Sequence, residues 1–271
     1  MSRKVWVNGA LSDGRIDVTD SSVLRGDGCF EVMRAYEGRV FAAVDHLDRL
    51  EKSARKLEIA LPPREILLSW IEAAAGDEPN GAVRVVVTRG SALPGEQQDP
   101  VVVVFAHQWS RGSETVTLGP VRAPWHGAGE DWELSGAKVL SYAPNLSATR
   151  AAKADGFDDA LLVSTGGVVL EGPTFSVAWV CDGVIETPAL SLGILDSITR
   201  RHVLGLATGE GIVIAEGSWN LSRLQIADEV MAWSTIREVQ AVSKVGSLDF
   251  EPGPVTRGLS GSYAQLVGSA I

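Results

Sequence analysis

A chain of 271 residues with 45% hydrophobic and 21% charged residues can bury one large core or two modest ones, and its balance is that of an ordinary soluble globular protein. Its net charge of −10 repels phosphate backbones, which argues against nucleic acid as a partner, and two cysteines in apolar contexts, Cys29 and Cys181, are too few for a disulfide framework. No apolar run approaches the roughly 20 residues of a membrane span, no signal-peptide core opens the chain, and the four histidines (His46, His107, His126, His202) lack metal-ligand spacing, so a cytoplasmic protein without membrane or metal is expected.

Strand signals come first. VWVNG, followed by a Gly-containing turn at Asp13-Gly14, predicts a hairpin, and GDGCFEVMRAYEGRVFAA reads as two strands around a turn at Glu37-Gly38. Asp45 is placed to cap a helix over DHLDRLEKSARKLEI, where Leu47, Leu50, Ala54 and Leu57 form an apolar stripe at helical spacing. Pro62-Pro63 ends that unit. REILLSWIEAAAG predicts a second helix closed by Gly76, and AVRVVVTRG and DPVVVVFA are β-branched runs of the kind that form buried strands. Residues 1–107 thus read as an α+β unit of antiparallel strands and two helices, with the polar QWSRGSE, residues 108–114, as a linker.

Beyond the linker, in residues 115–271, the pattern returns in kind but not in sequence. TVTLGPV predicts a strand, YAPNLSATRAAKADG a helix ending at Gly156, and DDALLVS a strand before a turn at Gly166-Gly167. VVLEG and TFSVAWV are expected strands, with Asp182-Gly183 turning into VIETP. ITRRHVLGLATGEG predicts a helix, DEVMAWS a strand and VTRGLSGSYAQLVGSA a final helix. There is no fixed-period repeat, the βαβ alternation is weak, and no GxGxxG opens a helix after a strand, so a doubly wound dinucleotide fold is a poor reading.

Six lysines narrow the search for a nucleophile. Lys52, Lys56 and Lys153 lie on polar helix faces. Lys138 sits in GAKVL, a strand-like run of small and apolar residues, where an ammonium is disfavoured and the amine becomes available, as a Schiff-base lysine requires; Lys244, in AVSKVG, shares that context. ILDSITRR opens a helix with Asp196 or Ser197 as its cap, and the amides of Ile198 and Thr199 with the Thr199 hydroxyl form either a simple cap or an anion cradle. Ser234-Thr235 closes a strand, as turn formers or as a second polar pair. Glu171, between apolar runs, either reaches water at a turn or faces a cation, and a protonated pyridine nitrogen would serve. Period-2 alternation puts Phe30, Val32, Arg34 and Tyr36 on one face, so Arg34 is either a carboxylate ligand, a buried ion pair or an edge arginine reaching water. Arg25 and Arg89 sit at neighbouring strand–turn junctions. Helical geometry puts Arg49 off the leucine stripe, exposed and inert.

GDGCFE, HLDRL, KVLSYAPN, GVVLEGPTFSV, DGVIETP, ILDSITRR, ADEV with the following ST, and GPVT occur in collinear order, and over nearly the whole chain they resemble the class IV (fold-type IV) aminotransferases. That group includes branched-chain and D-amino-acid aminotransferases, (R)-amine transaminases and aminodeoxychorismate lyases. The resemblance implies pyridoxal 5'-phosphate as cofactor, a small α/β N-terminal domain, a larger C-terminal domain with a β-barrel-like core and flanking helices, and a homodimer. It implies that Lys138 carries the cofactor and serves as catalytic base, that Glu171 pairs with the ring nitrogen, and that Tyr142 lies near the 3-oxygen. It also implies phosphate contacts from Arg49, overruling the exposed reading, from Ser197, Ile198 and Thr199, and from Ser234 and Thr235. Phe30, Val32 and Arg34, with Arg25 and Arg89, are the expected substrate contacts.

The implied reaction moves an amino group from an amino acid or primary amine to a 2-oxo acid by ping-pong chemistry. The alternative is the lyase, giving 4-aminobenzoate and pyruvate. The chain departs from the family pattern in four places. Ser176 replaces an asparagine and Ser197 a glycine, and the loop SALPGEQQ lacks the Arg-x-His pair of D-amino-acid enzymes. Arg25 stands where branched-chain enzymes generally have tyrosine.

Overall fold

The structure is a computed structural model that describes residues 4–91, 93, 99–130 and 132–271, so most of the SALPGEQQ loop lies outside the described residues. Two compact units emerge. The first comprises Met1–Ser110, Ala137–Tyr142 and Ala270–Ile271, and the second Arg111–Gly136 and Ala143–Ser269. The division expected from sequence order, 1–107 and 115–271 about a linker at 108–114, is contiguous; the observed one is not, because the Lys138 segment groups with the first unit.

In the first unit the elements are β1 (Val5–Val7), β2 (Ala10–Ser12), α1 (Ser21–Arg25), β3 (Gly28–Tyr36), β4 (Arg39–Val40), α2 (Ala43–Lys56), α3 (Arg64–Asp77), β5 (Gly81–Thr88) and β6 (Val101–Gln108). They form an antiparallel sheet in the order β2-β1-β6-β5-β3-β4. The valine runs of β5 and β6 pair Val85 with Val104 and bury alternate side chains against Leu47, Leu50 and Ala54 of α2 and Leu67 and Ile71 of α3. Each such leucine or isoleucine contributes on the order of 2 kcal/mol by leaving water.

Two local expectations are corrected. The first hairpin turns at Asn8-Gly9, not Asp13-Gly14: both residues have positive φ (46° and 81°), the conformation that an Asn-Gly pair adopts most readily. Asp45 does not cap α2; Ala42, at φ 53°, occupies that place, and Asp45 lies in the first turn, where its charge meets the positive helix end. The Glu37-Gly38 turn is as expected, with φ of 51° and 80°.

The second unit contains β7 (Thr115–Arg122), α4 (Ala143–Ala154), β8 (Asp159–Val163), β9 (Ser176–Cys181), β10 (Val184–Pro188), α5 (Ile198–Gly209), β11 (Ile214–Gly217), β12 (Glu229–Ser234), β13 (Glu238–Val245), β14 (Leu248–Asp249) and α6 (Pro254–Ala270). The main sheet runs β11-β10-β9-β12-β13-β7-β8, with β14 paired to β13. VVLEG is not a regular strand. Val169 bridges Val163 of β8, and Val168 bridges Asn220, just beyond β11. The Leu170 N–H donates to the Leu162 carbonyl at 2.9 Å and the Val169 N–H to the Trp219 carbonyl at 2.8 Å. This segment joins the two edges of the sheet, which gives the barrel-like closure expected of the larger unit. Leu118, Leu161, Val169, Phe175, Val177 and Trp179 fill one side. The α+β reading with two sheets therefore holds.

Gly172 follows Glu171 where the chain passes tightly against the core. A Cβ there would lie 2.1 Å from the ring of Phe175, itself 3% exposed and unable to withdraw. Gly172→Ala is expected to destabilise the protein by about 1–3 kcal/mol, read as a lowered midpoint in thermal unfolding; an unchanged midpoint would show that the Phe175 ring yields.

Candidate active site

Lys138 lies on an extended segment held against β3, on the side opposite β5. The Phe30 N–H donates to the Lys138 carbonyl at 3.1 Å, the Leu140 N–H to the Gly28 carbonyl at 2.8 Å, and Cys29 and Val139 form an antiparallel bridge. GAKVL is thus a single bridge rather than the strand its composition suggested. Gly28 makes the approach possible, since a Cβ there would fall 2.7 Å from Leu140 Cδ1 and 2.4 Å from the Val87 carbonyl oxygen. Ser53 Oγ accepts the Lys138 N–H at 3.1 Å. With its backbone fixed on both sides, Lys138 directs Nζ over the Phe30 ring, 4.5 Å from the centroid, and 5.9 Å from that of Tyr142. Those two rings meet edge to face at 5.4 Å. Phe30, Tyr142 and Lys138 are thereby brought together in an aromatic corner that steadies a cation by its π faces.

A buried charge cluster involves α2 and β3. Arg49 grips Glu31 with two bonds, Nε to Oε1 at 2.7 Å and Nη2 to Oε2 at 2.8 Å, and His46 Nδ1 donates to Oε2 at 2.8 Å. Glu31, His46 and Arg49 are at most 5% exposed. Burial alone would raise the Glu31 carboxyl, but the charge and hydrogen bonds of Arg49, with the His46 bond, outweigh it and hold the group well below the usual carboxylate range. Burial lowers His46. The exposed reading of Arg49 is corrected: the stripe rule weighs apolar residues only and is blind to an arginine turned inward to a buried acid. Glu31 and His46 were missed; the signal available was a glutamate inside an otherwise apolar strand.

The other arginines diverge. Arg34 lies four residues along β3 from Phe30, about 13 Å at strand rise. Its Nη1 donates to the Asn80 and Gly81 carbonyls at 2.8 Å, and the guanidinium stacks 3.7 Å from the Trp109 ring centroid. Arg89 is paired with Asp27 at 2.6 Å and donates to the Leu57 carbonyl at 2.6 Å at the end of α2. Both guanidiniums are engaged in holding this unit together. Arg25, at the end of α1, is exposed, and Val32 is half-buried on the Phe30 face. Lys244 pairs with Asp249 at 3.1 Å, with 41% of its side chain exposed, as a solvated lysine.

In the second unit both Glu171 oxygens lie within reach of the Leu195 N–H, at 3.3 and 3.2 Å, and Oε1 is 3.8 Å from His126 Nε2. Ser197 rather than Asp196 caps α5: its Oγ accepts the Arg200 N–H at 3.3 Å, while Asp196 pairs with Arg201. The amides of Ile198 and Thr199, in the first turn, have no acceptor inside the helix and face outward from its positive end. Thr199 is 1% exposed and bonds to Tyr263 of α6, whose hydroxyl burial pushes up to about 12. The Arg237 N–H donates to Ser234 Oγ at 3.1 Å and folds the chain at Ser234-Thr235. Arg237 is itself held by Asp159 at 2.7 Å.

Each unit by itself carries chemistry that suits a phosphorylated pyridine aldehyde: the first an amine, the second a carboxylate for a ring nitrogen and helix-start amides with hydroxyls for a phosphate. Among the described residues no group of His, Cys, Asp and Glu could hold a metal ion, and no helix is long and apolar enough to cross a membrane.

Glu31→Gln leaves Arg49 buried without its counter-charge. The expected loss of unfolding free energy is about 3 kcal/mol near pH 7, measured by urea denaturation. Because the folded carboxyl titrates below its ordinary 4.5, its contribution is present above that pH and is lost as the pH falls from there toward the depressed folded value. The gap between wild type and variant should therefore narrow by about pH 3; a constant gap would show that charge is not the cause.

The family model of class IV amino-transferases matches residues 28–245. A Methanocaldococcus jannaschii protein, provisionally named a branched-chain-amino-acid aminotransferase, is 32% identical over 257 residues, covering 89% of this chain and 88% of its own. A D-alanine aminotransferase of Listeria monocytogenes is 30% identical, covering 97% of this chain and 96% of its own. The solved branched-chain aminotransferase of Thermoproteus uzoniensis superimposes with a TM-score of 0.89 at 26% identity, covering 99% and 96% of the two chains. Neither the family match nor these relatives favours the lyase alternative. The chain belongs to the class IV aminotransferases and is a pyridoxal-phosphate-dependent transaminase.

Proposed function

We propose that Lys138 is the residue that carries the cofactor and moves the proton, and that the enzyme takes an amino acid or primary amine as donor and a 2-oxo acid as acceptor. The observation that carries this reading is the fixed placement of the Lys138 amine in the corner of Phe30 and Tyr142. Bound pyridoxal phosphate supplies an electron-withdrawing ring that stabilises negative charge on the carbon beside the substrate nitrogen. Glu171 holds the proton on the ring nitrogen. Arg49, Ile198, Thr199 and Thr235, with Ser197 and Ser234, hold the phosphate, and Tyr142 donates toward the 3-oxygen. Lys138 Nζ would be the base that takes the proton from the substrate α-carbon and gives it back during transfer. Phe30 and Val32 line the substrate side, and exposed Arg25 is the arginine left to meet a carboxylate. We further propose that the enzyme works as a cytoplasmic homodimer, which sedimentation would test.

Borohydride treatment of the holoenzyme should fix a pyridoxyl group on the peptide containing Lys138. Lys138→Ala should slow amino transfer by at least about a hundredfold while leaving the fold intact. Label recovered on another lysine, or full activity in the variant, would end the assignment. A donor screen with both enantiomers of each amine, followed by the cofactor's absorbance, identifies the substrate class.

A further inference from the structure

We infer that His126 is a positioning residue for the cofactor's ring nitrogen, acting through Glu171 as a neutral N–H donor; the inference rests on the assignment of Glu171 to that nitrogen. His126 lies on a turn in which its own N–H donates to the Ala123 carbonyl at 3.1 Å and the Glu130 N–H to the Gly127 carbonyl at 3.0 Å. Its ring is oriented from two further sides. The Ala128 N–H donates to Nδ1 at 3.2 Å, and Cε1 packs against Gly193, 3.9 Å from where a Cβ would stand. Because Nδ1 accepts a hydrogen bond it carries no proton, so the ring is neutral and its hydrogen is on Nε2, the nitrogen that faces Glu171 Oε1. Gly193, at φ 79°, also begins the short turn that brings the Leu195 N–H to the same carboxylate. Three pieces of chain, the His126 turn, the 193–195 turn and Glu171, thus converge on one group within the second unit.

The 3.8 Å separation is long for a hydrogen bond, but such contacts tighten when a ligand fills a site. The protonation state of the donor matters. A cation beside Oε1 would compete with a pyridinium for the carboxylate's charge and weaken its hold on the ring proton, whereas a neutral N–H fixes the carboxylate's orientation and leaves its charge to the ring. His126 also lines an open cavity of about 610 Å³, bordered by Trp125, Glu130, Trp132 and Thr165.

The test compares three variants of the full-length holoenzyme reconstituted with pyridoxal phosphate labelled with ¹⁵N in the ring, reading the ring-nitrogen signal by NMR and the donor half-reaction by stopped flow. His126→Phe keeps a ring over Gly193 and removes the donor. It should move the signal toward the unprotonated position and slow the half-reaction about tenfold, the worth of one hydrogen bond to a charged group. His126→Gln restores an N–H and should recover most of the rate. A His126→Phe enzyme with wild-type signal and rate, or a His126→Gln enzyme as slow as the Phe variant, overturns the inference. Glu171→Gln, run alongside, should move the signal further than either. If it leaves the signal in place, the assignment of Glu171 itself fails, and the inference with it.

Discussion

A carboxylate with no exposure to water must find its counter-charge inside the protein, and Glu31 finds it in Arg49. That requirement orders much of the first unit. It turns α2 so that His46 and Arg49 face β3 beside Leu47 and Leu50, and it fixes the guanidinium by two bonds at once. Ser53, on the same helix, receives the Lys138 N–H. A single buried acid on β3 therefore sets the helix from which both an arginine and the support of the Lys138 backbone are presented.

The second unit treats its acid differently. Glu171 keeps 14% of its side chain exposed and is met by a backbone amide and the His126 imidazole, with no arginine or lysine bonded to it among the described residues. The two glutamates differ in their surroundings for a physical reason. Glu31 is matched within the fold by the Arg49 guanidinium, while Glu171 has no arginine or lysine bonded to it among the described residues. Environment separates two chemically identical side chains in the same way that it separates acids from bases in other active sites.

Elements that depend on local periodicity were legible in the sequence: the valine strands, the helices α2 to α6, and the turns at Glu37-Gly38 and Asp182-Gly183. What was not legible depended on partners distant in the chain. VVLEG has the composition of a strand, but its neighbours lie on two sides and it makes only bridges. Arg34 lies on the predicted face, yet the carbonyls and indole that engage it come from residues 80, 81 and 109. Arg49 was recoverable only through resemblance, because its burial is explained by a residue 18 positions earlier. Lys138 stood out by composition, while the bridge that aims it was invisible to any window along the chain.

That bridge has a consequence for synthesis of the protein on the ribosome. The first 110 residues can assemble their sheet as they emerge, but the backbone of Gly28 and Phe30 is then left with unsatisfied groups along one border until residues 138–140 arrive. During that interval a nascent chain presents an open strand border flanked by apolar residues, the kind of surface on which neighbouring polypeptides add strands. Lys138 is thus part of the segment that seals the nascent sheet.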